Sequence, residues 1–386
     1  ARGGARVIVL ESTADGGRKI LISGGGRCNV LPASLDDRRF VTDSSPHSLR
    51  KIVRAWPLAE QRAFFERDLG VPLQHEPATD KLFPVSGRAR DVRDALVAAA
   101  RSAGAELHGH WRVDAIVAHG DAWRIHGRDR EPIDANAVVV ATGGLSVPQT
   151  GSDGTGLRLI EQLGHRVHDP YPALTPLLQQ PPRYADLAGV SRAVALRTTT
   201  ANGVATARGG FLFTHRGFSG PAVLDLSHLA VRAGRAGTRQ EIFVSWTDRD
   251  ADAWDATLRA SRGTVASVLR PELENRLAER LLEDVAIAPD QRLAELGRDA
   301  RQRLVAALTR WPLPWAADAG YRKAEVTGGG VALGEVDPRS LESRRRSGLF
   351  LCGEILDAFG PIGGYNFAWA WATGRAAGLG AAARGQ

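Results

Sequence analysis

The segment Leu349-Phe-Leu-Cys-Gly-Glu-Ile-Leu-Asp357, followed by Gly363-Gly-Tyr-Asn366 and Phe367-Ala-Trp-Ala-Trp-Ala-Thr-Gly374, constrains this chain more than any other. It predicts a buried strand, a tight glycine turn, an acidic loop and a helix opening on two glycines. Such a helix leaves its first N–H groups unpaired at the positive end of its dipole. That end suits a phosphate or an anionic ring edge. The glycines let the backbone come within contact distance of the ligand. Without a ligand, the same segment is a C-terminal βα unit that only packs.

Other segments point the same way. Val7-Ile-Val-Leu-Glu11 reads as the second strand of a dinucleotide-binding βαβ unit, ending in a carboxylate placed for ribose hydroxyls. Ala1 to Ala5 read as the tail of the preceding helix. After a loop at Gly16-Gly-Arg-Lys19 comes Gly24-Gly-Gly-Arg-Cys-Asn29, an anion-nest candidate. Ser45-Pro46 and Trp56-Pro57 mark helix starts, and Arg88 to Gly104 carries a helical period. Glu106 to Arg128 reads as three short strands. Asn136-Ala-Val-Val-Val-Ala-Thr-Gly-Gly144 predicts a fully buried strand entering a glycine turn. Thr150-Gly-Ser-Asp-Gly-Thr-Gly156 precedes another helix. From Val167 to about Val244 prolines and short alternating stretches predict a β-rich region, within which Ser219 is placed to cap a helix beginning near Pro221. Asp250 to Leu308 reads as helical, its charges forming a solvated face.

The length of 386 residues predicts two or three domains. Cys28 and Cys352 have no CxxC spacing, which argues against a disulfide framework or a zinc site and fits the cytoplasm. No apolar run has membrane-spanning length. The net charge of +7 raises the possibility of an anionic partner such as RNA. However, Lys19, Lys51, Lys81 and Lys323 are the only lysines, and the arginines are spread along the chain. That pattern favours compositional bias, so a nucleic-acid partner is not expected. The chain contains no methionine.

Six blocks, in order, resemble the BaiN-like, aminoacetone-oxidase-like family of bacterial FAD-dependent oxidoreductases. They are Gly17 to Asn29, Lys81 to Ser86, Ala141 to Ser146, Phe213 to Ala222, Lys323 to Val331 and Gly363 to Trp371. Gly151-Ser-Asp-Gly-Thr-Gly156 is similar, more loosely, to fumarate-reductase-type flavoproteins. The resemblance implies an α/β fold: a split Rossmann-like FAD-binding domain with an inserted β-rich substrate domain and a small helical subdomain. Residues 1–165 and 326–386 would form the FAD-binding parts, 166–248 the β-rich domain, 249–312 the helical piece and 313–325 the return. Family members begin with a strand and a G-x-G-x-x-G turn, which would precede Ala1. The chain is therefore expected to be a fragment, or else a degenerate member that holds FAD weakly.

The resemblance also implies roles. Glu11 would bind the adenosine ribose, and the backbone of Val113 would read the adenine edge. Thr142, Gly143 and Gly144 would touch the ADP half. Lys19, Gly24, Gly25, Gly26, Arg27, Cys28 and Asn29 would lie near the pyrophosphate or flavin. Gly353 and Glu354 would approach the ribityl and phosphate groups; Asp357 would do so too, or only cap a turn. Gly363, Gly364, Tyr365, Asn366 and Phe367 would meet the flavin N1–C2=O edge. Tyr365, His215 and Arg216 are catalytic candidates, each with a packing or structural alternative. Cys28 is a redox candidate or a small buried filler. The expected function is FAD-dependent oxidation or reduction of a small organic molecule, such as an enone or amino ketone, with NAD(P)H, if used, docking transiently. The competing expectations are an RNA-modifying flavoprotein and a flavin-less remnant.

Overall fold

The computed structural model describes residues 1 and 3–384. The chain divides into two units: Ala1–Pro172 with Ala324–Gln386, and Ala173–Lys323.

In the first unit, Ile8–Leu10 pairs in parallel with Glu106–His108, and Leu349–Leu351 with Val138–Val140. Parallel pairs need crossover connections, and the long helix Ala89–Ser102 lies on the crossover from Leu10 to Glu106. Val113–His119, Ala122–Gly127 and Ile133–Ala135 form an antiparallel meander. Leu31–Pro32, Lys81–Pro84 and Leu73–Glu76 form a second small antiparallel sheet. Phe350, Leu351, Val331 and Trp369 centre one core, and Val30, Leu31 and Phe65 a second. The helix Tyr365–Arg384 contributes Trp369 to the first and Ala368 to the second.

The strand Val167–Ala173 pairs with Val326–Val331. Ala332 N donates to Arg166 O at 3.0 Å. A Cβ on Gly329 would lie 2.5 Å from Asp169 O. The numbers ascend on one strand as they descend on the other, so the pair runs antiparallel.

Four local expectations differ from the structure. Gly4 N closes a turn onto Ala1 O, with Gly4 at φ 85°, where a helical tail was expected. A glycine pair in so short a stretch does not sustain a helix. Arg18–Ile22, at the end of the expected loop, forms one helical turn after a left-handed Gly17. The strand Val138–Val140 is not fully buried: Val139 is 40% exposed and Val140 4%, because successive side chains face opposite ways. The helix Pro221–Arg235 starts at Pro221, but its N-cap is Gly220, with no side-chain cap; Ser219 ends a strand instead.

The second unit is built on an antiparallel sheet ordered Trp311–Pro312, Phe243–Ser245, Ser191–Thr200, Gly203–Thr214, Gly217–Ser219, Leu177–Leu178 and Ala317–Asp318. The helices Ala251–Ala260, Asn275–Asp284 and Arg298–Thr309 share one core with it, in which Phe211, Phe213 and Trp246 meet Trp254, Leu281 and Leu304. Among the described residues no helix is long and apolar enough to cross a membrane.

Candidate functional site

Glu11 follows the strand Ile8–Leu10, where its main chain bonds His108 O and Trp111 N. Its Oε1 accepts from Thr13 N and Thr13 Oγ1, both at 2.8 Å, while Oε2 has no partner among the described residues. Gly151 (φ 102°) backs onto the same corner: a Cβ there would lie 3.3 Å from Ser12 Oγ and 3.7 Å from Glu11 Oε1. Arg112 pairs with Asp153 at 2.9 Å and bonds Thr155 Oγ1 at 3.0 Å, which ties the glycine loop to the start of the meander. Val113 stands next to Arg112, at a bulge in its pairing with Ala122–Gly127. The structure thus gathers Glu11, Val113 and the Gly151 loop.

The glycines at the end of Val138–Val140 have neighbours inside the protein. A Cβ on Gly143 would lie 2.6 Å from Ser152 Oγ, and one on Gly144 would lie 2.4 Å from Thr327 Oγ1. Thr142 occupies the space over Gly156, 1.8 Å from the position its Cβ would take. The Thr327 hydroxyl accepts from Leu145 N at 2.8 Å and Ser146 N at 3.1 Å. Sequence reasoning did not single out Thr327; its signal was a lone hydroxyl in an apolar, glycine-rich strand.

Gly24, Gly25 and Gly26 have φ of 55°, 66° and 86°. A Cβ on Gly25 or Gly26 would meet nothing within 4 Å, so only their left-handed φ favours glycine there, and the backbone is uncovered. Arg27 turns aside, pairing with Glu76 at 2.8 Å and stacking 4.2 Å over Phe83. Cys28 is buried at φ 60°, and burial pushes its thiol up to about 11. It is a filler, not an activated thiolate. Asn29 lies beside Gly24, its Oδ1 3.5 Å from a Cβ built there.

Glu354 is held on both oxygens: Oε1 accepts from Thr327 N at 3.0 Å and Oε2 from Lys19 Nζ at 2.5 Å. Gly353 N donates to Thr373 Oγ1 and Gly353 O accepts from Trp369 Nε1, at 2.9 and 3.0 Å. Asp357 is 2% exposed. Its Oδ2 accepts from Thr42 Oγ1, Asp43 N and Ser44 Oγ at 2.9, 3.0 and 2.7 Å. Asp357 therefore fastens the 42–44 loop, the turn-capping alternative. Glu354 and Gly353 are fixtures that join strand, turn and helix.

Beyond them the loop 360–364 leads into the helix Tyr365–Arg384. Gly364 (φ 97°) is needed for packing, since a Cβ there would lie 2.5 Å from Leu31 C. Gly363 (φ 123°) faces Lys81, whose Cε would lie 3.5 Å from its Cβ. Asn366 closes the loop by accepting from Gly360 N and donating to Gly360 O. Tyr365 is 4% exposed, and its hydroxyl accepts from Asp36 N at 3.3 Å. The ring of Phe367 stacks on Trp371. These contacts support the packing alternative for Tyr365. Among the described residues no acceptor meets the backbone N–H groups of Tyr365, Asn366 and Phe367. They form the positive end the sequence predicted.

His215 and Arg216 belong to the second unit. They form the exposed two-residue turn between Gly203–Thr214 and Gly217–Ser219. Thr214 Oγ1 donates to Gly217 O at 3.0 Å and accepts from Arg216 N at 3.4 Å. Among the described residues no group of His, Cys, Asp and Glu is arranged to hold a metal.

This is the geometry of a nucleotide-binding α/β unit, and the HI0933-like protein Rossmann domain family matches residues 1–380. The chain belongs to the HI0933-like family. It is 30% identical over 375 residues to a ribosomal RNA dihydrouridine synthase of Escherichia coli, covering 96% of this chain and 90% of that protein. It is likewise 30% identical to the 3-dehydro-bile acid delta(4,6)-reductase of Clostridium scindens, covering 99% of this chain and 94% of that protein. A 3-ketosteroid-delta4-(5alpha)-dehydrogenase structure from Rhodococcus jostii aligns over 99% of this chain and 92% of that one, with 15% identity and a TM-score of 0.44. As an HI0933-like protein the chain is an enzyme of the FAD-dependent oxidoreductase kind. The residues present fit that cofactor: a free carboxylate oxygen on Glu11 for the ribose, uncovered left-handed glycines at Gly25 and Gly26, and unpaired N–H groups at Tyr365–Phe367.

Proposed function

We propose that this protein reduces a carbon–carbon double bond conjugated to a carbonyl group in a small organic molecule of the enone class. The observation that carries the reading is the row of unpaired N–H groups at Tyr365, Asn366 and Phe367, beside Lys81. Bound FAD supplies the hydride chemistry, with NAD(P)H as a transiently docked reductant. The chain's residues hold and tune. Glu11 Oε2 would accept from ribose hydroxyls, and the Gly25–Gly26 backbone would receive phosphate. The helix N–H groups would stabilise negative charge on the flavin, as donors fixed in advance by the Asn366 clasp. The names of the two relatives support a double-bond substrate. Dihydrouridine is uridine with its ring double bond saturated, and delta(4,6) denotes ring double bonds.

A second reading is uridine in ribosomal RNA. It is favoured by the 30% identity to the Escherichia coli synthase and by the net charge of +7. One series of measurements separates the readings. Purified protein is expected to be yellow with flavin absorbance; a colourless, folded preparation sinks both. Anaerobically reduced protein is then mixed with cyclohexenone or with deproteinised ribosomal RNA. Recovery of oxidised-flavin absorbance with cyclohexenone supports the first reading. Recovery with RNA alone, accompanied by RNA retention that falls steeply with salt, supports the second.

A further inference from the structure

Leu145 and Ser146 lie in the turn after the strand Val138–Val140, and among the described residues no backbone acceptor meets their N–H groups. Both donate instead to the Thr327 hydroxyl, at 2.8 and 3.1 Å. Thr327 is 1% exposed and Ser146 is fully buried, so this hydroxyl does the work that water would do at a surface. Two N–H donors fill the lone pairs of the Thr327 oxygen, so its own proton goes to Ser146 Oγ, 3.0 Å away. A Cβ on Gly144 would lie 2.4 Å from the same oxygen, so the turn closes directly onto it. The main chain of Thr327 reaches the other way. Its N–H donates to Glu354 Oε1 at 3.0 Å, and Glu354 Oε2 meets Lys19 Nζ at 2.5 Å. One buried residue thus ties the 143–146 turn to Glu354 and, through Glu354, to the helical turn Arg18–Ile22 that precedes the Gly24–Gly26 loop. Ala141 and Thr142, just ahead of the tied glycines, are exposed and open to a ligand.

We infer that Thr327 is a positioning residue for FAD, acting from behind the site without touching the cofactor. Its hydroxyl holds the turn that would receive the ADP half, and its N–H holds Glu354 for the ribityl and phosphate groups. The inference rests on the FAD site and not on the enone substrate proposed above. The hydroxyl carries the effect. A valine of nearly the same shape leaves two buried N–H groups without an acceptor, and the turn escapes that cost only by moving. Movement there displaces Ala141–Gly144 relative to Glu354. The contacts for the two halves of the cofactor are then no longer set before it arrives, and a site that has to be ordered on binding binds more weakly.

The test is titration of folded apoprotein with FAD, followed by quenching of flavin fluorescence, for wild type, T327S, T327A and T327V. T327S keeps the hydroxyl and is expected to stay within about threefold of the wild-type Kd. T327A and T327V are expected to bind FAD about 10-fold more weakly or worse. Denaturant midpoints are measured on the same preparations, because a residue that only supports the fold lowers the midpoint and leaves the Kd of the folded molecules unchanged. Equal Kd in all four proteins overturns the inference. So does a T327S as weak as T327V, which assigns the effect to packing of the methyl group. If T327V does not fold, T327S against T327A decides, since those two differ by the hydroxyl alone. Wild type that binds no FAD defeats this inference together with the function proposed above. Bound FAD with no transfer to cyclohexenone or ribosomal RNA defeats only that function, and the Kd series still judges Thr327.

Discussion

Cys28 illustrates how one residue's surroundings decide between two roles. Beside Arg27 in a glycine loop it invites the reading of an activated thiol. Arg27 instead points to Glu76 and Phe83, and the sulfur lies in an apolar pocket with Val30, Leu31 and Phe65. Folding raises the thiol from 9.0 to about 11. Between those values the folded state holds the proton more tightly than the unfolded chain, so stability is complete below pH 9 and falls as pH rises toward 11. Cys352, pushed up to about 12, acts in the same direction. Both thiols are expected to resist iodoacetamide at neutral pH in the folded protein and to react in denaturant. Labelling of Cys28 in the native state would contradict the assignment. The pH-dependent loss is expected to shrink in Cys28→Ala, read as a flatter curve of denaturant midpoint against pH.

At the scale of elements, several glycines that read alike in the sequence divide into two kinds. Gly364 lies at φ 97° with no room for a Cβ against Leu31 and Pro32. Gly364→Ala is therefore expected to cost on the order of 3 kcal/mol and to shift the helix opening, lowering flavin content. Gly25 is left-handed with open space around it, so Gly25→Ala is expected to cost only about 1–2 kcal/mol of backbone strain. Denaturant midpoints and flavin absorbance of the two variants test the contrast. The strand–turn–helix of residues 349–374 and the parallel strand ending at Glu11 were legible in the sequence, because apolar runs punctuated by glycine have few alternative folds. The hub at Thr327, the clasp of Asn366 on Gly360 and the closure of Asp357 by residues 42–44 were not. Each joins residues distant in sequence, and nothing local to a hydroxyl, amide or carboxylate names its partner.

At the scale of the molecule, the helices between Ala251 and Thr309 do not form a core of their own. Trp254 is fully buried, in one cluster with Phe211, Phe213 and Trp246 of the sheet region. Helices and sheet in residues 173–323 are expected to unfold together. Trp254→Ala is expected to cost about 3–5 kcal/mol, and to lower hydrogen-exchange protection in the strand Ser191–Thr200 as well as in the helices. Loss confined to the helices would show two independent cores. The antiparallel pairing of Val167–Ala173 with Val326–Val331 has a consequence for how such a chain changes over time. The main chain leaves the first unit at the end of one strand and returns at the start of the strand beside it. Residues 173–323 are thus a cassette with a single doorway: the frame can be closed by a short turn across it, or refitted with another insert, without breaking a strand of the first unit. Exchanging such a cassette between relatives would leave the strand pairing at the doorway of the first unit unchanged.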